Sequence, residues 1–220
     1  MNVIRRKLAV VTGAATEVGL ELARLCARQG FDLIITAEEA LVHDAAEELG
    51  LMGVTCRSVQ CDLASSPGFA SLMAVIASGE RPVDFLFANA SCGVEQDTAE
   101  EDLNEAIQAI QTRLDGTLRM IFAVAAGMRS RGQGHILISG STTGLMPGTT
   151  QALYNGSKTF LDSFSVALGN ELQGTGVTVS CLLPRGSQTD LFDRAAIANL
   201  GFESLAARST IIGAASATLH

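Results

Sequence analysis

Leu8 to Val11 is a run of apolar residues without alternation, closed by Gly13. Such a run, ended by glycine, predicts a parallel strand covered by helices on both faces. From Val18 to Arg28 the apolar positions Val18, Leu22, Leu25 and Cys26 recur at helical spacing, and Gly30 follows as a stop. The alternation then repeats. Strands are predicted over Phe31 to Thr36, Val54 to Gln60, Val83 to Ala88, His135 to Ser139 and Val177 to Leu182, six in all with the first. Helices are predicted over Ala40 to Leu49, Gly68 to Ala77, about Ala99 to Arg131 and about Ala152 to Leu172. Right-handed crossovers turn this series into a doubly wound parallel sheet between two helical layers, an α/β/α sandwich with its ligand crevice at the carboxyl ends of the strands.

A chain of 220 residues holds one such domain, read as residues 1–220, with neither a linker nor a solenoid repeat. Hydrophobic residues make up 47% and charged residues 17%, so a large fraction is buried and a subunit interface is expected. The net charge of −8 repels phosphate backbones and anionic lipid, which leaves a small molecule as the expected partner and excludes nucleic acid and membrane surfaces. The apolar run after Arg5-Arg6-Lys7 is too short for a signal peptide, and no stretch approaches the roughly 20 apolar residues that span a bilayer. Cysteines 26, 56, 61, 92 and 181 are odd in number and scattered, which predicts neither disulfides nor a metal site but buried thiols in the cytoplasm.

The chemistry gathers at two places. Thr12-Gly13-Ala14-Ala15-Thr16-Glu17-Val18-Gly19 lies between a strand and a helix, where glycines let backbone N–H groups and the positive helix end meet a pyrophosphate. Taken alone, the turn also fits a tight connection that binds nothing. Tyr154 and Lys158 lie four apart near the start of a helix and share one face, while Ser141 stands thirteen residues before the tyrosine, just past a strand end. A free phenol, with a pKa of about 10, is a poor acid or base near neutrality, and a neighbouring ammonium favours its phenolate form. A hydroxyl beside that pair can hold a carbonyl oxygen. Tyr154 is the chain's single tyrosine, so no other phenol competes.

With these residues in view, the chain from Lys7 to about Leu191 resembles the short-chain dehydrogenase/reductase family. The matching features are the glycine turn TGAATEVG, the acidic residue after the third strand in Asp62-Leu63, the turn Asn89-Ala90-Ser91, Ser141, and Tyr154-Asn155-Gly156-Ser157-Lys158. The resemblance implies a Rossmann-type, NAD(P)-binding domain that moves hydride between nicotinamide and a carbonyl/alcohol pair. It implies that Ser141, Tyr154 and Lys158 are the catalytic set: Tyr154 as general acid/base, Lys158 holding the nicotinamide ribose, Ser141 orienting the carbonyl. It places the cofactor on Thr12, Gly13, Val18, Gly19, Asp62, Leu63, Asn89, Ala90, Tyr154, Lys158 and Thr189. Asp62 would bond the adenine, Asn89 would support the sheet and Thr189 would meet the carboxamide. Read from the residues alone, Asp62 also fits a helix cap or turn, Thr189 a helix N-cap and Asn89 an ordinary turn. The family's pairing of long helices implies a homodimer or homotetramer.

The sequence departs from the family pattern in ways that bear on activity. Glu17 stands at the second glycine of the turn, and Arg113 at an asparagine of the proton relay. Both are expected to weaken activity; they support an alternative in which the chain keeps the fold as a binding or scaffold protein. Ser91 and Arg185 replace loop glycines. The chain stops at His220, before the family's usual last strand, so the sheet is expected to lack it. Thr36-Ala37-Glu38-Glu39 ends the second strand, and its two carboxylates oppose a 2′-phosphate, favouring NAD(H) over NADP(H) modestly. Residues 186–208, with Leu191, Phe192, Ile197, Leu200 and Phe202, read as an apolar cover for substrate or as an ordinary amphipathic helix.

Overall fold

Local chemistry starts the helices where the sequence places their first turns. The structure, a computed structural model, describes residues 6–79, 81–89, 103–141, 152–183 and 211–213. Helix α1 (Glu17–Arg28) opens on Thr16, whose hydroxyl accepts from the Gly19 N–H. Helix α3 (Ser66–Ser78) opens in the same way on Ser65, which accepts from Gly68 N–H. Each cap satisfies one of the amides that a helix start leaves without a partner. Helices α2 (Leu41–Leu51), α4 (Leu103–Arg131) and α5 (Ala152–Glu171) complete the set. The predicted start of α4 at Ala99 lies outside the described residues.

Strands β1 (Leu8–Thr12), β2 (Asp32–Ala37), β3 (Cys56–Gln60), β4 (Phe85–Ala88), β5 (Gly134–Ser139) and β6 (Val177–Leu183) answer the six predicted ones. β3 and β4 each start two residues later than their apolar runs. At β3 the Thr55 N–H donates to the Asp32 carboxylate at 2.9 Å, and at β4 the Asp84 carboxylate accepts from Leu8 N–H at 2.8 Å, so side chains occupy the strand mouths before the ladders begin.

One expectation is overturned. The sheet does not lack its last strand: β7 (Ile211–Gly213) pairs in parallel with β6, Ile211 opposite Cys181 and Gly213 opposite Leu183. The physical reason is the edge. Without β7 the backbone groups on the outer side of Cys181–Leu183 would be unpaired, and three residues suffice to cover these last positions of β6. A strand that short carries no periodicity from which to predict it.

All pairings are parallel, in the order β3-β2-β1-β4-β5-β6-β7. Successive residues of each strand serve opposite faces. Ala9, Val11, Leu33, Ile35, Phe85 and Phe87 pack with Leu22, Cys26 and Leu49 of α1 and α2. Leu8, Val10, Ile34 and Leu86 pack with Leu72, Met120, Ile121 and Leu161 on the other side. The resulting three-layer Rossmann-type sandwich is the fold class expected from the sequence. Its winding reverses between β1 and β4, which sets the crevice at their carboxyl ends.

Candidate active site and cofactor cradle

At the reversal point the glycine turn is locked to the end of β4. Asn89 donates its backbone N–H to Thr12 Oγ1 at 3.0 Å and its side-chain Nδ2 to Thr16 Oγ1 at 3.0 Å. Thr12 Oγ1 in turn donates to the Phe87 carbonyl at 3.3 Å. Gly13 has φ +62°, and a Cβ on it would lie 2.4 Å from the Asn89 carbonyl oxygen. A Cβ on Gly19 would lie 2.1 Å from the Gly13 carbonyl oxygen. Both glycines are therefore required by close backbone approach, and together they bring the N-terminus of α1 to the carboxyl ends of β1 and β4. This donor set suits a pyrophosphate. Thr12 is buried and committed to bridging β1 and β4, so its side chain shapes the cradle rather than lining it. Val18, in the first turn of α1, packs against the core. Glu17 is exposed in the first helical turn, where its charge suits the helix dipole.

Asp62 follows β3. Its Oδ1 accepts from the Ala64 N–H at 2.8 Å, the turn role that the residue alone allowed, and its side chain also lines a cavity of about 710 Å³ together with Ser65, Gln111, Leu114 and Asp115. Leu63 is buried against α4; a Cβ on Gly116 would come 2.7 Å from its own Cβ. Its side chain thus serves the core. Glu38 and Glu39 are exposed beyond β2. Partial burial, then the charges of Asp62 and Glu39, raise the Glu38 carboxyl above its ordinary range, which registers a locally negative potential.

Ser141, Tyr154 and Lys158 meet where β5 faces the first turns of α5. Lys158 is buried, donates from Nζ to the Ser139 carbonyl at 3.0 Å, and lies 5.8 Å from the centroid of the half-buried Tyr154 ring. Ser141 is buried at the end of β5, and its backbone N–H donates to Asp162 Oδ1 at 3.3 Å. Sequence reasoning missed Asp162, although its position four residues beyond Lys158 signalled the shared helical face. It also missed the part played by Thr16, both helix cap and acceptor for Asn89. Ala90, Ser91, Arg185, Thr189 and the segment 186–208 lie outside the described residues, as does the side chain of Arg113.

A parallel sheet with a glycine turn at its reversal point and a buried lysine beside a tyrosine defines a Rossmann-type nucleotide-binding protein. The sequence profile of the short chain dehydrogenase family matches residues 7–198, and the chain belongs to that family. A protein of Streptomyces coelicolor that carries the name of a ketoacyl reductase is 34% identical over 189 residues, 84% of this chain and 72% of its own length. A very-long-chain 3-oxoacyl-CoA reductase of Emericella nidulans is 32% identical over 176 residues, 78% of this chain and 51% of its own, so the chain spans about half of that relative. Among solved structures, an actinorhodin polyketide ketoreductase crystallised with NADPH superposes with a TM-score of 0.82 at 27% identity, covering 94% of this chain and 95% of the other. The protein is thus a member of an oxidoreductase family that includes ketoreductases and dehydrogenases.

The cradle geometry sets two opposite expectations. Gly19→Ala should lower stability by about 1–3 kcal/mol through overpacking and abolish dinucleotide binding. Glu17→Gly should leave NADH affinity within about twofold, since the carboxylate is exposed, and cost about 0.5–1 kcal/mol in chain entropy. Thermal denaturation and NADH titration by fluorescence read both.

Proposed function

We propose that the protein is an NAD(H)-dependent oxidoreductase interconverting a carbonyl and an alcohol. The observation that carries this reading is the packing of Lys158 and Tyr154 beside the Ser139–Ser141 segment, on the same sheet edge as the glycine cradle. When bound, the nicotinamide group supplies or accepts the hydride at the substrate carbon. Gly13, Gly19, the start of α1, Asp62 and Asn89 would hold it, with Ala90 and Thr189 as further contacts implied by the family pattern. Ser141 holds the carbonyl oxygen with its hydroxyl, and Tyr154 gives that oxygen its proton during reduction and takes it back during oxidation. Lys158 brings a buried positive charge to the phenol, fixed in place by the Ser139 carbonyl. The names of the relatives make a 3-oxoacyl ketone the first substrate class to assay.

Tyr154→Phe removes only the proton-transferring oxygen. It should lower turnover by about 10²–10⁴-fold with dinucleotide affinity nearly unchanged, whereas Lys158→Ala should damage both, as steady-state rates and calorimetry will read. Equal rates for Tyr154→Phe and the parent would overturn this mechanism. A parent that binds neither NADH nor NADPH would instead favour the scaffold reading that Glu17 suggests.

The choice of NAD(H) rests on Glu38, Glu39 and Asp62, which surround the ends of β2 and β3 with negative charge. NADH should bind at least about tenfold more tightly than NADPH, and the gap should narrow in high salt because exposed charges are screened. Competitive calorimetry at two ionic strengths checks this.

The protein is further read as a homodimer or homotetramer that pairs through α4 and α5. Phe122 is 61% exposed, Phe160 41% and Val166 46%, and Phe122 and Phe160 both pack against Phe164, making one apolar patch across the two helices. Among the described residues no helix is long and apolar enough to cross a membrane. Cys26, Cys56, Cys61 and Cys181 are free thiols, which fits a reducing cytoplasm. Light scattering at micromolar concentration should give a dimer or tetramer, and Phe122→Asp with Phe160→Asp should give a monomer.

A further inference from the structure

Asp162 is a buried carboxyl for which the proposed chemistry has no use. It lies on α5 one turn beyond Lys158 and is 7% exposed. Its Oδ1 accepts the Ser141 backbone N–H at 3.3 Å and the Cys181 thiol at 3.5 Å. The segment it touches is packed to contact: a Cβ on Gly140 would lie 1.8 Å from Asp162 Oδ1, 2.8 Å from Cys181 Sγ and 2.9 Å from Leu183 Cδ2. Gly140 also donates its N–H to the Leu182 carbonyl at 2.8 Å. The three residues Ser139-Gly140-Ser141 are thus held from three sides, by Lys158 at the Ser139 carbonyl, by β6 at Gly140 and by Asp162 at the Ser141 amide.

We infer that Asp162 is a positioning residue: through Oδ1 it fixes the Ser139–Ser141 segment, so that the Ser141 hydroxyl and the carbonyl anchoring Lys158 stand in one geometry toward Tyr154. Gly140 is its structural counterpart, since only a residue without Cβ lets the carboxyl reach the Ser141 amide. The role belongs to the acceptor oxygen rather than to the charge. Burial raises the Asp162 carboxyl above its ordinary range, only partly opposed by its bonds to Cys181 and Ser141 and by the charge of Lys158. Its Oδ2 has no hydrogen-bond partner among the described residues, so an amide in place of the carboxylate leaves the two Oδ1 contacts intact. A missing acceptor would free a short segment whose displacement by even an ångström costs much of the rate.

This inference rests on the oxidoreductase reading for its catalytic consequence but not for its structural one, and the two are measured separately. Amide hydrogen exchange at Ser141 in the full chain should speed up about tenfold in Asp162→Ala, the loss of one buried hydrogen bond, and return to the parent value in Asp162→Asn. With a ketone that the parent reduces, Asp162→Ala should lower kcat by about 100-fold while KM and NADH affinity stay within about twofold, and Asp162→Asn should restore most of kcat. Unchanged Ser141 exchange in Asp162→Ala overturns the inference, and so does an Asp162→Asn variant as defective as the alanine. If Asp162→Ala does not fold, Asp162→Asn alone decides by the same two readouts. A parent with no turnover on any ketone would count against the oxidoreductase reading, and the exchange result would still decide the role of Asp162.

Discussion

The hydrogen bonds that Asn89 makes across the gap between β1 and β4 are the constraint on which the rest of the structure depends. A doubly wound sheet has one place where consecutive units part in opposite directions, and a crevice opens there at the carboxyl ends of the strands. Asn89 closes that place by bonding Thr12 and Thr16 at once, while its carbonyl sits where a Cβ of Gly13 would be. The glycine turn, the start of α1 and the end of β4 therefore move as one body. Removing any partner would leave buried donors and acceptors unmatched, which costs about 1–3 kcal/mol for each group. The region offered to a dinucleotide is thus stiff because the sheet requires it to be.

A second junction gathers buried polar groups. Between β5, β6 and α5 the buried polar groups answer one another: Lys158 to Ser139, Asp162 to Ser141 and Cys181, Gly140 to Leu182. Burial pushes the Cys181 thiol up to about 11, so it remains a neutral donor near neutrality. The thiol lies beside Asp162, whose carboxyl burial raises above its ordinary range against the opposing charge of Lys158.

Much of this is legible in the sequence alone. The unbroken apolar strands, the glycine turn and the Tyr154/Lys158 spacing each reflect a local physical demand that a single sequence records. What escaped were demands between distant segments. Nothing in Ile211-Ile212-Gly213 announces a strand, since the need for it lies in the unpaired edge of β6. The sequence places Thr12 and Leu63 in the cofactor turns but does not show that the Thr12 hydroxyl bridges to β4 or that the Leu63 side chain packs against Gly116. Asp162 was hidden for the same reason: its partner Ser141 is 21 residues away, and Gly140 explains it only once the Cβ clash is measured.

The pairing of β7 has a consequence for how this protein can change. Ile211 lies opposite Cys181 and Gly213 opposite Leu183, so the chain leaves β6 and re-enters the sheet at the same, carboxyl end of that strand. Leu183 and Ile211 therefore lie close together at the carboxyl end of the sheet, the end at which β5 delivers Ser141. Closure entropy grows only logarithmically with length, about 0.6 kcal/mol for each doubling, so the length of chain that joins two neighbouring ends weighs little on the sheet. A change in the number of residues that join β6 to β7 therefore leaves the register of the folding core as it is.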